Sequence, residues 1–141
     1  MVFYLDLFGT FERHYVDYLL IGGLAVSLHG VERATMDVDI TVATNPENLA
    51  HLIDAARELG LTPVLPVSLE SLANLELLRR WHKERNLEAF ALRTPDLAGV
   101  TLDVLLFPPV EFPGMAQRAA IFQVAGIAIR VAAIDDLIAL K

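Results

Sequence analysis

Apolar and polar residues recur along this chain with two different periods, and each period predicts a type of element. Apolar residues spaced three or four positions apart predict helices, because they fall on one helix face. Short apolar runs and strict alternation predict buried and half-buried strands. The predicted helices cover residues 3–18, 24–29, 45–60, 68–85 and 134–141, and the predicted strands cover residues 18–21, 36–42, 87–93, 100–107, 121–124 and 127–131.

Turn-forming residues place several of these boundaries. Gly22-Gly23 follows the first strand, and Gly30 is a predicted C-cap of the short helix after it. Asn45-Pro46 predicts a capped helix start with proline in the first turn. Pro108-Pro109 ends a strand, and Ala125-Gly126 joins the last two strands as a hairpin.

This order of elements predicts an α/β or α+β fold in which helices flank a mixed β-sheet. A length of 141 residues fits one compact domain, which we expect to cover residues 1–141. The apolar pattern of the last helix is still running where the chain stops at Lys141. We therefore expect the domain to be truncated at its C-terminus.

Composition narrows the function classes. The chain has 18 acidic and 11 basic residues and a net charge of −7, which argues against broad, non-specific nucleic-acid binding. It has no cysteine, which excludes disulfides, thiolate catalysis and cysteine-based zinc sites. No apolar run approaches the roughly 20 residues of a membrane span, and no export signal opens the chain. We expect a cytoplasmic protein that does not contact a membrane.

Three aspartates carry the strongest chemical signal. Asp37 and Asp39 lie two positions apart on a predicted strand, so their side chains share one face of the sheet. Asp103 lies between apolar neighbours on a later strand, and if the two strands are adjacent all three carboxylates converge. Like charges raise one another's pKa, and divalent cations relieve this cost. Two such cations can stabilise the attacking and leaving oxygens of a phosphoryl-type displacement.

The Gly22-Gly23 turn supplies a complementary feature. It joins a strand to a helix N-terminus, where backbone N–H groups and the helix dipole favour an anion such as phosphate. Arg33 and Thr35, just before the aspartate pair, are candidates to contact phosphate oxygens or a nucleobase. Each feature alone has a simpler interpretation, namely a polar strand face or an ordinary turn. Their joint occurrence in this order favours a functional site.

A basic cluster stands out in this acidic chain. It consists of Arg79, Arg80, His82, Lys83 and Arg85. One interpretation is a solvated helix end, where cations are favoured by the helix dipole. The other is a local platform for RNA or another phosphate-bearing acceptor, and the sequence leaves both open.

The segment from Ile21 to Ile40 resembles the signature of the nucleotidyltransferase superfamily related to DNA polymerase β. Ile21-Gly22-Gly23 is followed by thirteen residues and then by Asp37-Val38-Asp39-Ile40, an acidic pair that alternates with apolar residues. Asp103, in Leu102-Asp103-Val104, matches the third acid of the family. Residues 21–40 and 134–141 are similar in particular to small prokaryotic nucleotidyltransferases that include abortive-infection proteins and type IV toxins of toxin–antitoxin pairs.

The resemblance implies a nucleotidyltransferase-like mixed sheet and an enzyme dependent on Mg²⁺ or Mn²⁺. Such an enzyme transfers a nucleoside monophosphate from an NTP to a hydroxyl group of a protein, a tRNA or a small molecule. Asp37 and Asp39 would hold the metal pair, and Asp103 would complete one metal site and assist deprotonation of the acceptor. Gly22 and Gly23 would hold the triphosphate through backbone N–H groups. An antitoxin protein is the further partner implied.

One departure from the family pattern concerns Gly23, which stands where many relatives carry serine, so no hydroxyl contact to phosphate is available there. Two other functions use the same residues. A catalytically inactive module would bind a nucleotide or partner without turnover, and a metal-dependent phosphohydrolase would use water as acceptor.

Overall fold

A computed structural model of the chain describes residues 2–30, 37–94 and 100–141. Six α-helices are present in these ranges, namely α1 (Val2–Arg13), α2 (Gly22–Leu28), α3 (Pro46–Glu58), α4 (Leu75–Arg85), α5 (Phe112–Arg118) and α6 (Ile134–Ala139). The same ranges contain seven strands, namely β1 (Tyr18–Ile21), β2 (Val38–Val42), β3 (Thr62–Pro63), β4 (Ala89–Arg93), β5 (Thr101–Leu105), β6 (Ala120–Val124) and β7 (Ile127–Val131). A 3₁₀ turn at Leu69–Ala73 precedes α4.

The strands form one mixed sheet in the order β3-β4-β5-β2-β1-β7-β6. β2 pairs in parallel with β5, β1 pairs in parallel with β7, and the other neighbours are antiparallel. The predicted α+β architecture, a mixed sheet flanked by helices, is therefore confirmed. Within the described ranges, no helix combines the length and apolar character needed to cross a membrane.

The main core lies against one face of the central strands. Alternate residues of β2, β4 and β5 are almost completely buried there, as the period of two predicts. They pack with apolar side chains of α1 and α3 in one cluster that includes Phe8, Phe11, Val38, Ile40, Leu49, Leu52, Phe90, Leu102 and Val104. This packing leaves Asp39 and Asp103 on the opposite sheet face.

Several predicted boundaries hold. β1 covers residues 18–21, and the Ala125-Gly126 turn joins β6 to β7 with φ values of 49° and 81°. Asn45 caps α3, because its side chain accepts a hydrogen bond of 2.8 Å from the backbone N–H of Asn48. The prediction that β2 begins at Met36 falls outside the described residues.

Other boundaries differ for identifiable reasons. The predicted helix 3–18 ends at Arg13, because Tyr15 adopts a left-handed conformation with φ 57° and the N–H of Val16 bonds back to the carbonyl of Phe11. The predicted helix 68–85 is divided at Asn74, whose side chain accepts from the N–H of Leu77 and starts α4. The helix predicted at 24–29 instead begins at Gly22. α5 and β3 were not predicted.

Candidate functional site

Asp39 and Asp103 lie side by side on neighbouring strands. They are directly opposite each other in the parallel pair of β2 and β5, although 63 residues separate them along the chain. Their carboxyl groups are hydrogen-bonded to each other, and two carboxyl groups make such a bond only when one holds a proton. The structure therefore brings together two of the three aspartates that the sequence predicts to converge.

Burial and mutual repulsion shift both of these groups. Burial is the largest cause of a raised pKa at Asp39, and together with the negative charges of Asp103 and Asp37 and the hydrogen bond to Asp103 it brings this pKa to about 6. Burial also raises the pKa of Asp103, with a second contribution from the charge of Asp37. Perturbed carboxyl groups in a concave site are typical of functional centres.

Asp37 is placed differently from the other two aspartates. Its side chain is exposed, and its Oδ1 accepts a hydrogen bond of 3.1 Å from the hydroxyl of Thr101 and a longer one of 3.4 Å from the backbone N–H of that residue. Burial and the charge of Asp37 raise the pKa of Tyr4, which places α1 near this carboxylate. Within the ranges that the structure describes, no three acidic or histidine side chains form a ready-made metal site. The three-aspartate metal site therefore stays a prediction.

Gly22 lies directly against Asp39. It is the first residue of α2 and has φ +73°, a conformation that side chains rarely adopt. A Cβ atom at this position would come within 2.9 Å of the Cβ of Asp39. Only glycine therefore lets the start of α2 approach the carboxylate pair so closely.

A cavity of about 540 Å³ opens beside these residues. Gly22, Gly23, Asp39 and Asp103 form its polar end, and this volume lies in the range of small-molecule sites. The rest of the wall is mostly apolar and comes from α2, the sheet and α6; it includes Val26, Leu105, Ile134, Leu137, Ile138 and Leu140. Lys141 also lines the cavity.

The remaining candidates are distributed as follows. Arg33 and Thr35 fall outside the described residues. His29 is the C-cap of α2, one residue before the predicted C-cap Gly30, and its Nε2 is 2.9 Å from the carbonyl oxygen of Ala132. The sequence analysis did not identify Thr101 as a partner of Asp37. Thr101 lies two positions before Asp103 on the same strand, so the two side chains share one face of the sheet. This spacing is a signal that could have identified Thr101.

No protein-family model matches the chain, and no curated protein matches it in sequence. Solved structures do match its fold. The solution structure of the antibiotic-resistance factor ANT(2″)-Ia is 15% identical with a TM-score of 0.59, and the match covers 97% of this chain and 66% of that one. The crystal structure of ANT(2″)-Ia in complex with adenylyl-2″-tobramycin is 16% identical with a TM-score of 0.55, covering 94% and 68% of the two chains.

A third match is a protein of Thermotoga maritima, itself a proposed nucleotidyltransferase. It is 13% identical with a TM-score of 0.56, and the match covers 92% of this chain and 74% of that protein. The chain thus spans only about two thirds of the length of ANT(2″)-Ia. At these identities the likeness establishes the shared architecture, and the chain has the nucleotidyltransferase-like fold.

Proposed function

We propose that this protein is a metal-dependent nucleotidyltransferase that transfers a nucleoside monophosphate from an NTP to a hydroxyl group of an acceptor. The carrying observation is the contact of Asp39 with both Asp103 and Gly22 at the polar end of a cavity. It occurs in a fold shared with nucleotidyltransferases. ANT(2″)-Ia was crystallised with adenylyl-2″-tobramycin, which carries the kind of adenylyl group that such a transfer would leave on a small molecule.

The side chains at this site fit Mg²⁺ or Mn²⁺. They offer carboxylate oxygens, the ligands that hard divalent cations prefer. Asp39 and Asp103 repel each other when both are ionised, and a bound cation would offset that repulsion. We include Asp37 as a third ligand because its charge contributes to the raised pKa of both other carboxyl groups. A bound divalent cation would neutralise phosphate charge and make the α-phosphorus more electrophilic.

The chain's own residues then have distinct tasks. Backbone N–H groups of Gly22 and Gly23, and the side chains of Arg33 and Thr35, bind the triphosphate. The acceptor oxygen forms a bond to the α-phosphorus while the bond from that phosphorus to the bridging β-phosphate oxygen breaks, and pyrophosphate leaves. Asp103 takes the proton of the acceptor hydroxyl. The apolar wall limits water at the reacting phosphate, which favours transfer over hydrolysis.

The test uses NTP labelled at the α-phosphate, incubated with Mg²⁺ and with an aminoglycoside, total RNA or a protein fraction as acceptor. We expect label in one acceptor fraction, and a loss of about 100-fold or more in Asp39→Asn and Asp103→Asn, because each removes a charge needed at the reacting phosphate. Asp6→Asn removes one exposed carboxylate on α1 and is the matched control, with activity unchanged.

Three outcomes contradict the proposal. Equal transfer by the aspartate variants rejects the site. Release of the free monophosphate with no labelled acceptor indicates a phosphohydrolase. Metal-dependent nucleotide binding without turnover indicates the inactive binding module.

The similarity of residues 21–40 to toxin nucleotidyltransferases leads us to propose, in addition, a cytoplasmic toxin neutralised by an antitoxin protein. In that case production of the intact chain arrests growth, whereas production of Asp39→Asn does not. Normal growth with active enzyme rejects this role and leaves the transfer activity standing.

A further inference from the structure

The exposed side of α4 carries an unusual concentration of positive charge. Four of the chain's 11 basic residues, namely Arg79, Arg80, Lys83 and Arg85, lie within seven positions, and all four are exposed. We call these four residues the α4 basic face. With its two glutamates, Glu76 and Glu84, the helix has a net charge of +2 in a chain of net charge −7.

Elsewhere the arginines of helices and strands are mostly used in ion pairs. Arg13 pairs with Glu58, Arg57 with Glu70 and Asp54, Arg118 with Asp136, and Arg130 with Asp17. By contrast, none of the four residues of the α4 basic face has an ion-pair partner within 4.0 Å among the residues described. Their charges are therefore available to a ligand.

The helix dipole accounts for only part of this arrangement. Lys83 and Arg85 lie in the last turn of α4, where a cation is favoured by the carbonyl groups of the helix end. Arg79 and Arg80 lie in the middle of the helix, beyond the reach of that effect. The solvated helix end predicted as one interpretation thus explains two of the four cations.

The other side of α4 indicates which polyanion fits. Leu78 is fully buried, and Trp81 packs against the core, so the apolar side of the helix is occupied by the protein itself. An amphipathic helix that lies in a membrane surface inserts its apolar side between lipids, and that side of α4 is not available. Guanidinium groups match phosphate geometry, and binding to a phosphate polymer gains free energy from released counterions, which a short acidic peptide does not supply.

The position of the helix relative to the cavity supports the same partner. α4 ends at Arg85 and β4 begins at Ala89, which lines the cavity two residues before Ala91, the residue paired with Asp103. The α4 basic face extends about 9 Å along the helix from Arg79 to Arg85, and residues 86–88 connect its end to Ala89 at the cavity. A ligand that reaches both the α4 basic face and the cavity is therefore an extended polymer rather than a small molecule.

We propose that the α4 basic face is an electrostatic docking surface for a nucleic-acid strand, held by its phosphates beside the cavity. This inference concerns binding, and it stands whether or not the proposed transfer activity is found. Binding is local to this face because the remainder of the chain is acidic.

Fluorescence anisotropy with a labelled 20-nucleotide single-stranded RNA, measured without divalent ions between 50 and 200 mM salt, tests the proposal. Four phosphate contacts predict that log K falls with log salt concentration with a slope of about −3. Arg79→Gln/Arg80→Gln/Lys83→Gln should reduce the slope to about −1 and weaken binding at 50 mM salt by about 100-fold.

Two variants control for charge and folding. Arg93→Gln removes an exposed cation of β4 outside the face and should leave the slope unchanged. Arg79→Lys/Arg80→Lys keeps the charge and should retain most of the affinity. Thermal unfolding should be similar for all variants, since the altered side chains are exposed.

Any of three results overturns the proposal. The first is a wild-type protein that does not bind the RNA at 50 mM salt. The second is a triple variant with the wild-type slope. The third is displacement of the RNA by polyglutamate, or binding to anionic vesicles, at equal charge concentration, since either would make the partner an acidic protein or a membrane.

Discussion

At the scale of single residues, Asp39 is the residue of the candidate site whose ionisation lowers the stability of the folded protein. It is half-buried, its carboxyl group is hydrogen-bonded to that of Asp103, and Gly22 lies directly against it. Burial raises its pKa to about 6, so near neutral pH the folded protein holds an ionised group that its surroundings disfavour. Asp39 therefore lowers the stability of the ligand-free fold near neutral pH, and its carboxylate is suited to binding a ligand.

This predicts a pH-dependent gain of stability in Asp39→Asn. An unfolded aspartate loses its proton near pH 3.9, whereas the folded one holds it to about pH 6, so wild-type stability falls as pH rises through this interval. In metal-free buffer we expect Asp39→Asn to gain on the order of 1 kcal/mol relative to wild type between pH 4 and pH 7.5, after allowing for solvent screening.

Thermal unfolding of both proteins across that range measures the difference. The pKa of Glu58 is lowered to about 2 by hydrogen bonds from Arg13 and His14, but this contribution is common to both proteins and cancels. A stability difference that does not change with pH would contradict the assignment of the shift to Asp39.

At the scale of elements, α6 forms much of the apolar cavity wall, and an ion pair links it to α5. Arg118 of α5 donates two hydrogen bonds of 2.9 Å to the carboxylate of Asp136 on α6. The Asp136 side chain is only 8% exposed, whereas that of Arg118 is 50% exposed. Replacing Arg118 therefore leaves a buried charge, whereas replacing Asp136 leaves an exposed one.

This asymmetry predicts that Arg118→Met lowers the Tm by more than Asp136→Asn does. Arg118→Met leaves the buried carboxylate of Asp136 without its partner. In Asp136→Asn the remaining Arg118 stays solvated. Arg130→Met, which breaks the more exposed pair with Asp17, is the control and should change stability by about 1 kcal/mol or less. Thermal unfolding of the three variants measures the order, and equal losses from both partners of the α5–α6 pair would disprove it.

At the scale of the whole molecule, the parallel pairing of β2 with β5 creates the site. It sets Asp39 opposite Asp103, and the antiparallel pairing of β1 with β2 sets Ile21, just before the glycine pair, opposite Asp39. The polar end of the cavity thus depends on three strands that are separate in sequence. A ligand there should stabilise the entire fold, because it binds only the assembled sheet.

We expect Mg²⁺ with a non-hydrolysable NTP analogue to raise the Tm of the wild-type protein. At ten times its Kd a ligand stabilises the folded state by about 1.4 kcal/mol, or on the order of 5 °C for a chain of this size. Asp39→Asn and Asp103→Asn should lose this shift, and Asp6→Asn should retain it. Differential scanning calorimetry with the analogues of ATP, GTP, CTP and UTP in turn checks the expectation. An equal shift in all variants would place the nucleotide elsewhere.

The sequence by itself determined most of the elements and predicted the residues of the candidate site. The alternation of Val38, Ile40 and Val42 with polar residues specified β2, and Asn45 with Pro46 specified the start of α3, because these signals are local. It failed at α5, where Pro113 and Gly114 are ordinarily breakers but lie in the first turn of a short helix. It also failed at the end of α1, because the apolar residues after Arg13 belong to a left-handed turn and to β1.

Only the tertiary structure decided which of these elements meet. Sequence spacing gives the direction of a side chain on its own strand but not the neighbour of that strand, since strand pairing depends on burial over the whole chain. The pairing of β2 with β5 therefore placed Asp39 opposite Asp103, while the hydroxyl of Thr101 donates a hydrogen bond to Asp37. The ion pair of Arg118 with Asp136 likewise joins α5 to α6 through a tertiary contact that no local sequence pattern predicts.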